Sequence, residues 1–291
     1  MAVFHTPMIT LSDGNLIPQI GLGVLRIDDE GVTPVVESAL EAGYRHIDGA
    51  AGYNNEAGVG RALKNAGFTQ GENRKNLWVT TKLRDSEQGY DSARKAFDRQ
   101  LGLLQLDYVD MYMLHWPTPF DWRSGETWKA FDEFRAEGRV RTLGVCNFLP
   151  EHLERLHKET GEYPAVNQIE THVFQQQKTA KEYLKKYGCQ IESWGPFAEG
   201  RKDMFTNPVL TQIGEKYGKT AAQTALRFLL QSDVVVIPKS THKDRMQQNF
   251  DLFDFTLTAE DMAAIEALDG GESLFFSHYD PKTVEWFMSI L

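Results

Sequence analysis

Short apolar runs alternate along the chain with longer segments in which apolar residues recur every three or four positions. The runs have the length of buried strands, and the longer segments have the periodicity of amphipathic helices. Eight such strand–helix units follow one another with no linker-like or low-complexity break. Strands that alternate with helices indicate parallel pairing, and eight units close into a barrel. The pattern therefore predicts an α/β fold: a single (β/α)8 TIM barrel domain that spans residues 1–291.

The predicted strands cover residues 20–24, 45–48, 77–81, 108–114, 140–145, 166–170, 190–193 and 234–237. The predicted helices cover residues 33–42, 55–66, 91–104, 126–137, 150–159, 178–187, 220–231 and 242–250. Thr33 is expected to cap the first helix, and Gly43 is expected to end it.

Three additions to the barrel are predicted. Asp13 and Gly14 form a turn signal between two short apolar runs, which indicates an N-terminal β-hairpin. Two extra helices are expected around residues 207–217 and 258–268. The C-terminal tail, residues 270–291, is expected to pack over one end of the barrel through its aromatic residues, which are Phe275, Phe276, Tyr279, Trp286 and Phe287.

An open doubly wound sheet is the alternative architecture. Its dinucleotide-binding fingerprint should follow the first strand, but residues 21–26 lack the third glycine of that motif. Gly58, Val59 and Gly60 lie inside a predicted helix, where a phosphate-binding turn is not expected. The barrel is the better interpretation.

Composition narrows the class of protein. Hydrophobic residues make up 41% of the 291 positions and charged residues 25%, as in ordinary globular proteins. A formal net charge of −10 argues against nucleic acid or an anionic membrane as partner, although a local basic pocket is compatible with it. Cys146 and Cys189 are too few for a disulfide framework. With neither a leader-like N-terminus nor a run of about 18 apolar residues, we expect a soluble cytoplasmic protein.

Polar side chains stand where successive strands end, which is where barrel enzymes carry their chemistry. Asp48 ends the second predicted strand, Tyr53 follows it by five residues, and Lys82 and His115 end the next two. Burying an acid and a phenol together is costly without a partner, so a cation is expected between them. Each residue alone has an ordinary structural explanation. Because all four stand at equivalent positions of successive units, chance is a poor explanation for the group. The later strand ends contribute Cys146, Asn147, Gln168, Trp194, Lys239 and Ser240.

Five segments resemble the aldo-keto reductase family, in the order that the family has them: GYRHIDGAAGYNNE, LDYVDMYMLHWP, LGVCNF, AVNQIE and VIPKSTHKDRMQQN. The resemblance covers nearly the whole chain. The short segment after Trp194 and the tail sequence GESLFFSHYDPKTVEWF are similar to the bacterial branch of 2,5-diketo-D-gluconate and methylglyoxal reductases. The resemblance implies an enzyme that reduces an aldehyde or a ketone with hydride from a nicotinamide.

The same resemblance implies roles for the catalytic residues. Tyr53 matches the general acid that protonates the carbonyl oxygen, and Lys82 is expected to lower the pKa of its phenol. Asp48 is expected to keep Lys82 charged and oriented. His115 matches the residue that hydrogen-bonds the carbonyl oxygen and orients the substrate.

NADPH is the cofactor that the resemblance implies. Asn147 and Gln168 match residues that hold the nicotinamide carboxamide, and Cys146 stands where serine is commoner, which weakens one expected hydrogen bond. Trp194 matches the aromatic residue that stacks on the nicotinamide, and it opens a segment that continues with Gly195, Pro196 and Phe197. A cation pair and a hydroxyl near a helix N-terminus suit the 2′-phosphate, with two amides near the adenine; these residues are Lys239, Ser240, Arg245, Gln248 and Asn249.

Departures from the family pattern concern the substrate. Gly49 stands where threonine is common, and Leu25 stands where many animal members have tryptophan. Leu25 and Trp116 are expected to wall the substrate pocket together with Tyr53, His115 and the aromatic tail. The His and Cys residues lack paired ligand spacing, so no metal site is expected.

Two other functions stay open from the sequence. One is an NADP(H)-binding sensor or regulatory subunit on the same barrel, and the other is an unrelated barrel enzyme such as a phosphate-binding isomerase. We expect a monomer that acts on a small-molecule carbonyl substrate, whose identity the sequence leaves open.

Overall fold

Strand pairing follows chain order around the molecule. The computed structural model describes residues 6–278, 280, 282–283 and 285–286. Strands β1 (Met8–Thr10) and β2 (Leu16–Pro18) pair antiparallel and confirm the N-terminal hairpin. The strands of the main sheet are β3 (Leu22–Gly23), β4 (His46–Asp48), β5 (Trp78–Leu83), β6 (Val109–Leu114), β7 (Val140–Cys146), β8 (Val166–Glu170), β9 (Gln190–Trp194) and β10 (Val235–Val236).

All neighbouring strands from β3 to β10 are parallel, in the order of the sequence. A parallel bridge joins Ile20 to Val236. There the N–H of Gly21 donates to the carbonyl of Val236 at 2.8 Å, and the N–H of Val236 donates to Gln19 at 3.0 Å. These bonds bring the last strand back to the first. The predicted (β/α)8 barrel is confirmed, and the open sheet is wrong.

The helices surround the strands. They are α1 (Asp29–Ala42), α2 (Glu56–Asn65), α3 (Gly71–Lys75), α4 (Tyr90–Leu104), α5 (Ser124–Ala136), α6 (Pro150–Thr160), α7 (Lys178–Lys186), α8 (Pro208–Tyr217), α9 (Ala221–Gln231), α10 (Lys243–Phe250) and α11 (Ala259–Glu266). The two extra helices that the pattern predicts are α8 and α11. The short α3 escaped prediction, as did the 3-10 turns at Ala51–Tyr53, Asp85–Glu87 and Ala198–Asp203.

The first helix begins earlier than predicted. Asp28 is its N-cap, because its side chain accepts a hydrogen bond from the N–H of Gly31 at 2.7 Å. Thr33 lies inside the helix, and its hydroxyl donates to the carbonyl of Gly58 at 2.9 Å. The expected end is confirmed, since Gly43 has φ of 106° in the left-handed region.

The glycines of α2 allow close packing between helices. A Cβ at Gly58 would lie 2.1 Å from the carbonyl oxygen of Asp29 in α1. A Cβ at Gly60 would lie 2.3 Å from the carbonyl oxygen of Leu103 in α4. The paired glycines therefore serve helix packing, in agreement with the rejection of this segment as a phosphate turn.

Apolar side chains form two clusters. The large one lies between the strands and the helices, and it includes the stacked rings of Phe97 and Phe134. The smaller one joins Leu11 and Ile17 from the hairpin segment to Met111 and Val235 inside the barrel. Because these strand residues lie toward the amino-terminal end, the hairpin covers that end of the barrel. The opposite end is left for the polar residues.

The described part of the tail lies over the carboxyl-terminal end of the barrel, as predicted. Phe275 and Phe276 contact the ring of Trp194 at centroid distances of 5.3 and 6.0 Å. Trp286 is 56% exposed, while Tyr279 and Phe287 lie outside the described residues. Among the described residues, none of the helices has the length and apolar character needed to cross a membrane.

Candidate active site

The carboxyl ends of consecutive strands bring together the four residues predicted to be catalytic. Asp48 is the last residue of β4, and Lys82 lies one position before the end of β5. His115 directly follows β6, and Tyr53 ends the 3-10 turn after β4. Strand order alone places these residues in one neighbourhood, because parallel neighbours end at the same edge.

Lys82 is the cation that the sequence predicts between the acid and the phenol. Its Nζ donates to Oδ1 of Asp48 at 2.7 Å, to the carbonyl oxygen of Gly49 at 2.9 Å and to Oη of Tyr53 at 3.5 Å. The side chains of Lys82 and Asp48 are 0% and 2% exposed. Burial works against the charge on Lys82, but Asp48 and the other neighbours outweigh it, so the pKa of Lys82 is raised. Lys82 therefore carries a positive charge.

Two opposing influences act on the pKa of the Tyr53 phenol. Burial is the dominant influence and raises the pKa of Tyr53 to about 12, while the charge of Lys82 acts in the opposite direction. The predicted direction of the Lys82 effect is confirmed, and burial outweighs it. Tyr53 holds its proton firmly at neutral pH.

The imidazole of His115 faces the ring of Tyr53. The two ring centroids are 5.7 Å apart, and the rings are inclined by 72°. Burial, followed by the charges of Lys82 and Arg84, lowers the pKa of His115 to about 3. The imidazole is therefore neutral at physiological pH and presents one N–H donor and one acceptor.

Gln168 lies below this group and joins two carboxyl groups. Its Nε2 donates to Oδ2 of Asp48 at 2.9 Å and to Oε2 of Glu192 at 3.2 Å. An amide nitrogen has two protons, so both donors are engaged within the protein. Only the carbonyl oxygen of Gln168 is left for the predicted contact with a carboxamide, and that contact stays a prediction.

Glu192 is a buried acid that the sequence reasoning missed. Its Oε1 has no hydrogen-bond partner among the described residues, and it lies 3.6 Å from Nε2 of His46. Burial and the charge of Asp48 raise the pKa of Glu192, and burial lowers the pKa of His46 to about 4. Burial therefore favours the uncharged form of both groups. Alternation along a barrel strand could have revealed Glu192 and His46, because each lies two positions before a site residue, Trp194 and Asp48.

Three possible metal ligands meet at this level. His46, Asp48 and Glu192 each offer one ligand atom, and these three atoms lie within 4.8 Å of one another. The spacing of the three residues in the sequence gave no sign of a cluster. The ammonium group of Lys82 already lies 2.7 Å from Asp48 and supplies a positive charge there. The predicted absence of a metal site stays a prediction.

Asn147 and Trp194 are hydrogen-bonded to each other at the mouth, which is the carboxyl-terminal end of the barrel. The indole N–H of Trp194 donates to Oδ1 of Asn147 at 2.8 Å, and Nδ2 of Asn147 donates to the carbonyl of His115 at 3.3 Å. Cys146 lies deeper, only 1% exposed, and its thiol donates to the sulfur of Met113 at 3.9 Å. Burial raises the pKa of Cys146 well above its usual range, so it remains a thiol.

Aromatic rings of the tail cover part of this mouth. Phe276 lies 5.5 Å from the ring of Trp116, and His278 is nearly parallel to Trp116 at 5.7 Å. Glu170, at the end of β8, holds the tail: its carboxylate accepts the hydroxyl of Ser273 at 2.5 Å and the N–H of Leu274 at 2.9 Å. Leu25 is 39% exposed. The next residue, Arg26, forms an ion pair of 2.8 Å with Glu199 in the segment that follows Trp194. Of that segment, Pro196 is buried, and Gly195 and Phe197 are partly exposed.

The predicted phosphate site consists of solvent-facing cations. Lys239 and Arg245 are exposed, and in the described part of the chain neither forms an ion pair with a carboxylate. The Ser240 hydroxyl is buried and donates to the carbonyl of His242 at 3.3 Å. Asn249 is buried, whereas Gln248 lines a groove at the amino-terminal end of the barrel, away from Asp48. Because Lys239 and Arg245 are exposed cations without a carboxylate partner in the described residues, they are suited to binding an anion.

Comparisons with known proteins agree with this geometry. The sequence model of the Aldo/keto reductase family matches residues 19–270. The methylglyoxal reductase DkgA of Escherichia coli (strain K12) is 45% identical over 92% of this chain and 95% of its own. An aldo-keto reductase of Mycolicibacterium smegmatis is 45% identical over 96% of this chain and 98% of its own. A crystal structure of a Gox0644 variant in complex with NADPH superposes with a TM-score of 0.89 and 39% identity, covering 96% of this chain and 98% of that one.

Proposed function

This chain belongs to the aldo/keto reductase family, and we propose that it uses NADPH to reduce the carbonyl groups of aldehydes and ketones to alcohols. The observation that carries the proposal is the contact of one buried ammonium, Lys82, with both Asp48 and Tyr53, directly beside the neutral His115. A positive charge, a phenolic proton and a neutral imidazole at one point are what carbonyl protonation requires.

The residues of the mouth fit NADPH. Lys239 and Arg245 suit the 2′-phosphate, since both are exposed and lack a carboxylate partner in the described residues. Gln168 has its carbonyl oxygen left for the carboxamide, and Trp194 offers a partly exposed ring beside Asn147. When bound, NADPH supplies the hydride that the carbonyl carbon receives. A relative with NADPH in its crystal structure supports the same cofactor.

Tyr53 is the proposed proton donor. Its O–H gives a proton to the carbonyl oxygen, which leaves a phenolate that water must reprotonate. Burial alone would make this donation slow, because it raises the pKa of Tyr53 to about 12. The Lys82 ammonium stabilises the phenolate that forms, and Asp48 holds Lys82 in place. The neutral His115 can donate an N–H to the same carbonyl oxygen and so orient it.

We propose small dicarbonyls, sugar-type aldehydes and aromatic aldehydes as substrates. The aromatic groups of Trp116 and Phe276 at the mouth support a partly apolar pocket, and the methylglyoxal reductase relative supports small dicarbonyls. We also propose that the chain is a single domain and acts as a monomer in the cytoplasm. Its two free, buried cysteines would remain reduced there.

A single assay compares this proposal with its alternatives. NADPH absorbance is followed with methylglyoxal, with a diketogluconate and with an aromatic aldehyde, and NADPH binding is measured separately. Turnover of any of these supports the reductase. Tight binding without turnover would instead support an NADP(H) sensor. The absence of both NADPH binding and turnover would refute the proposed function.

Replacing the proton donor tests the mechanism. Tyr53→Phe should lower kcat for reduction by at least about a hundredfold, which is the contribution of a well-placed general acid. NADPH affinity, measured by fluorescence quenching, should change little, because the phenol is not among the residues assigned to the cofactor. Near-normal turnover in this variant would remove Tyr53 as the acid.

A further inference from the structure

The described part of the tail places an imidazole among the aromatic rings of the mouth. The ring of His278 is nearly parallel to that of Trp116, with centroids 5.7 Å apart and an angle of 17° between the planes. Its centroid also lies 5.8 Å from that of Trp194 and 4.9 Å from that of Phe276. Trp116 directly follows His115 in the chain. His278 therefore belongs to the wall of the proposed substrate pocket, a place that the sequence reasoning did not assign to it.

The Nε2 atom of His278 is buried and has no hydrogen-bond partner among the residues that the structure describes. Burial lowers the pKa of His278, while the charge of Glu170 acts in the opposite direction, so the imidazole is neutral at physiological pH. An unpaired buried polar atom is unfavourable, and a ligand that brings a hydrogen-bonding group removes that cost. An unpaired nitrogen in an aromatic wall is therefore suited to contact a polar group of the substrate.

A buried carboxylate fixes the position of this part of the tail. Glu170, the last residue of β8, accepts hydrogen bonds from the hydroxyl of Ser273 at 2.5 Å and from the N–H of Leu274 at 2.9 Å. The same hydroxyl accepts hydrogen bonds from the N–H groups of Phe275 and Phe276, at 3.1 and 3.2 Å. Ser273 thus joins Glu170 to the turn that leads into the aromatic residues.

This anchor is ionised. Burial opposes the ionisation of Glu170, but the hydrogen bonds that it accepts, led by that of His172, outweigh burial and lower its pKa. Hydrogen bonds to an ionised acceptor are among the stronger ones in proteins. Arg201, from the turn that follows β9, also donates to the carbonyl of Leu274. The tail therefore starts from a fixed point, and the place of His278 depends on it.

We propose that His278 is a substrate-binding residue whose Nε2 hydrogen-bonds a hydroxyl group of the substrate, and that Glu170 is the positioning residue that holds His278 there. A hydroxyl fits because it both donates and accepts, so it pairs with either tautomer of a neutral imidazole. A pocket with such a polar atom rejects an analogue that brings a methyl group in place of the hydroxyl, because the atom then stays unpaired. This inference rests on the proposed reductase function and adds a specificity-determining residue to it.

Matched pairs of substrates test the contact. Each pair has the same carbonyl and carries either a hydroxymethyl or an ethyl group: hydroxyacetaldehyde with propanal, and the meta and para hydroxymethylbenzaldehydes with the corresponding ethylbenzaldehydes. The pairs place the hydroxyl at different distances from the carbonyl, and in at least one pair wild type should have the higher kcat/KM for the hydroxyl compound. His278→Phe keeps an aromatic ring and removes Nε2. It should lower kcat/KM for that compound by about threefold to tenfold and change the ethyl compound by less than about twofold.

Two further variants locate the effect. His278→Gln should retain part of the hydroxyl preference, because the glutamine amide can place a hydrogen-bonding atom near the position of Nε2. His157→Phe is the matched control and should leave the preference unchanged. In the described residues, His157 also has an unpartnered ring nitrogen, and it stacks on Tyr163 at 4.1 Å, but it lies with Ser12 and Asp13 beside the N-terminal hairpin. A preference that is absent in wild type, or that His278→Phe leaves intact, would refute the contact.

The positioning role of Glu170 is tested by coupling. Glu170→Gln removes the ionised acceptor and should lower the hydroxyl preference. Combined with His278→Phe, it should cause no further loss of preference, because both changes remove the same contact. Ser273→Ala removes one of the two bonds to the tail and replaces Glu170→Gln in this cycle if that variant does not fold. Additive losses, or a preference that the anchor variant leaves unchanged, would refute the positioning role.

A binding measurement separates this inference from the reductase function. The meta and para hydroxymethylbenzamides and ethylbenzamides are amides, so their calorimetric titration into the enzyme with NADP⁺ is independent of turnover. At least one hydroxymethyl isomer should bind wild type about threefold to tenfold more tightly than His278→Phe, and the ethyl compounds should bind both equally. Absence of turnover with every aldehyde would refute the proposed function, whereas equal affinities of both hydroxymethyl isomers for the two proteins would refute the role of His278.

Discussion

Charge is balanced differently in the interior of the site, around Lys82, and at its rim, around Lys239 and Arg245. In the interior, Lys82 is paired with Asp48 at 2.7 Å, and both donors of Gln168 are bound to carboxyl groups. At the rim, Lys239 and Arg245 are exposed and have no acidic partner in the described residues. The interior balances its charges with its own side chains, whereas the rim leaves positive charge for an anionic ligand.

Desolvation explains this difference. A buried ion without a partner costs several kcal/mol, so the barrel interior can hold Lys82 only together with Asp48. Exposed cations remain hydrated and cost little until a ligand arrives. The interior should therefore respond to mutation in both stability and activity, while the rim should respond in cofactor affinity alone.

Lys82→Met should have the largest effect, because it breaks the interior pair. The variant leaves Asp48 buried without its cation, which should lower the free energy of unfolding by about 3–5 kcal/mol. Loss of the charge beside Tyr53 should lower kcat for reduction by about a hundredfold to a thousandfold. Urea unfolding and steady-state kinetics measure the two effects.

The double variant Lys82→Met with Asp48→Asn is the control for this prediction. It removes the orphaned charge, so it should recover much of the stability and none of the activity. If Lys82→Met is as stable as wild type, the buried pair does not contribute to the free energy of unfolding. The proposed difference between the interior and the rim would then be wrong.

Lys239→Met and Arg245→Met should have the next largest effect and test the rim. Each should weaken NADPH binding by about tenfold to a hundredfold, and NADH binding by much less, because NADH lacks the 2′-phosphate. Stability should be within about 0.5 kcal/mol of wild type. Fluorescence quenching titrations with both nucleotides give the comparison.

The same helix provides the control for the rim. Lys243 in α10 is also exposed but is already paired with Glu41 at 2.7 Å. Lys243→Met should therefore leave NADPH affinity close to wild type. Equal losses for NADPH and NADH in the Arg245 variant would show that this cation does not select the phosphate.

Glu192→Gln should have a smaller effect that depends on pH. Burial and the charge of Asp48 raise the pKa of Glu192 in the folded protein, so the folded state holds this proton more tightly than the unfolded chain. The resulting stability is present below the unfolded pKa of about 4.3 and is lost as pH rises through the raised folded value. The glutamine cannot ionise, so the variant should gain stability relative to wild type as the pH increases.

Urea unfolding of both proteins at about pH 5, 7 and 9 measures this trend. Exposed Glu182 of α7 supplies the matched control, since Glu182→Gln should not alter the pH dependence. Parallel curves for wild type and Glu192→Gln would mean that Glu192 is already ionised, and the interior would then hold an uncompensated charge.

The strands and helices could be predicted because each has a local cause. The strand at Val166–Glu170 was predicted with its exact bounds, since it is a fully buried run. The predicted start of α1 was wrong because Asp28 caps the helix five residues before Thr33, and contact with Gly58 places Thr33 inside the helix. The short 3-10 turns were missed because a single turn has no periodicity to read.

The site residues that could be predicted are those whose positions follow directly from strand order. Asp48, Lys82 and His115 follow from their positions at strand ends, and the cation between acid and phenol is found where it was expected. Burial outweighs the predicted lowering effect of Lys82 on the pKa of Tyr53, because desolvation depends on surroundings that a sequence does not display. The bridge from Gln168 to Glu192 depends on side-chain contacts across the barrel, which periodicity cannot supply.

Gly49→Ala should have the smallest effect. Gly49 departs from the family pattern beside Asp48, but only its carbonyl oxygen contacts the interior pair, through the 2.9 Å bond from Lys82. A Cβ there would meet the carbonyl oxygen of Thr80 at 3.6 Å and Val24 at 3.9 Å, which are ordinary contacts. The alanine keeps the carbonyl and fits the space, so kcat should stay within about twofold of wild type and stability within about 0.5 kcal/mol. Gly58→Ala is the contrasting control, because its Cβ would lie 2.1 Å from a backbone oxygen and should destabilise the fold by about 1–3 kcal/mol. A loss of activity in Gly49→Ala without a loss of stability would show that the interior tolerates no methyl group beside Lys82, and that the glycine is part of the site.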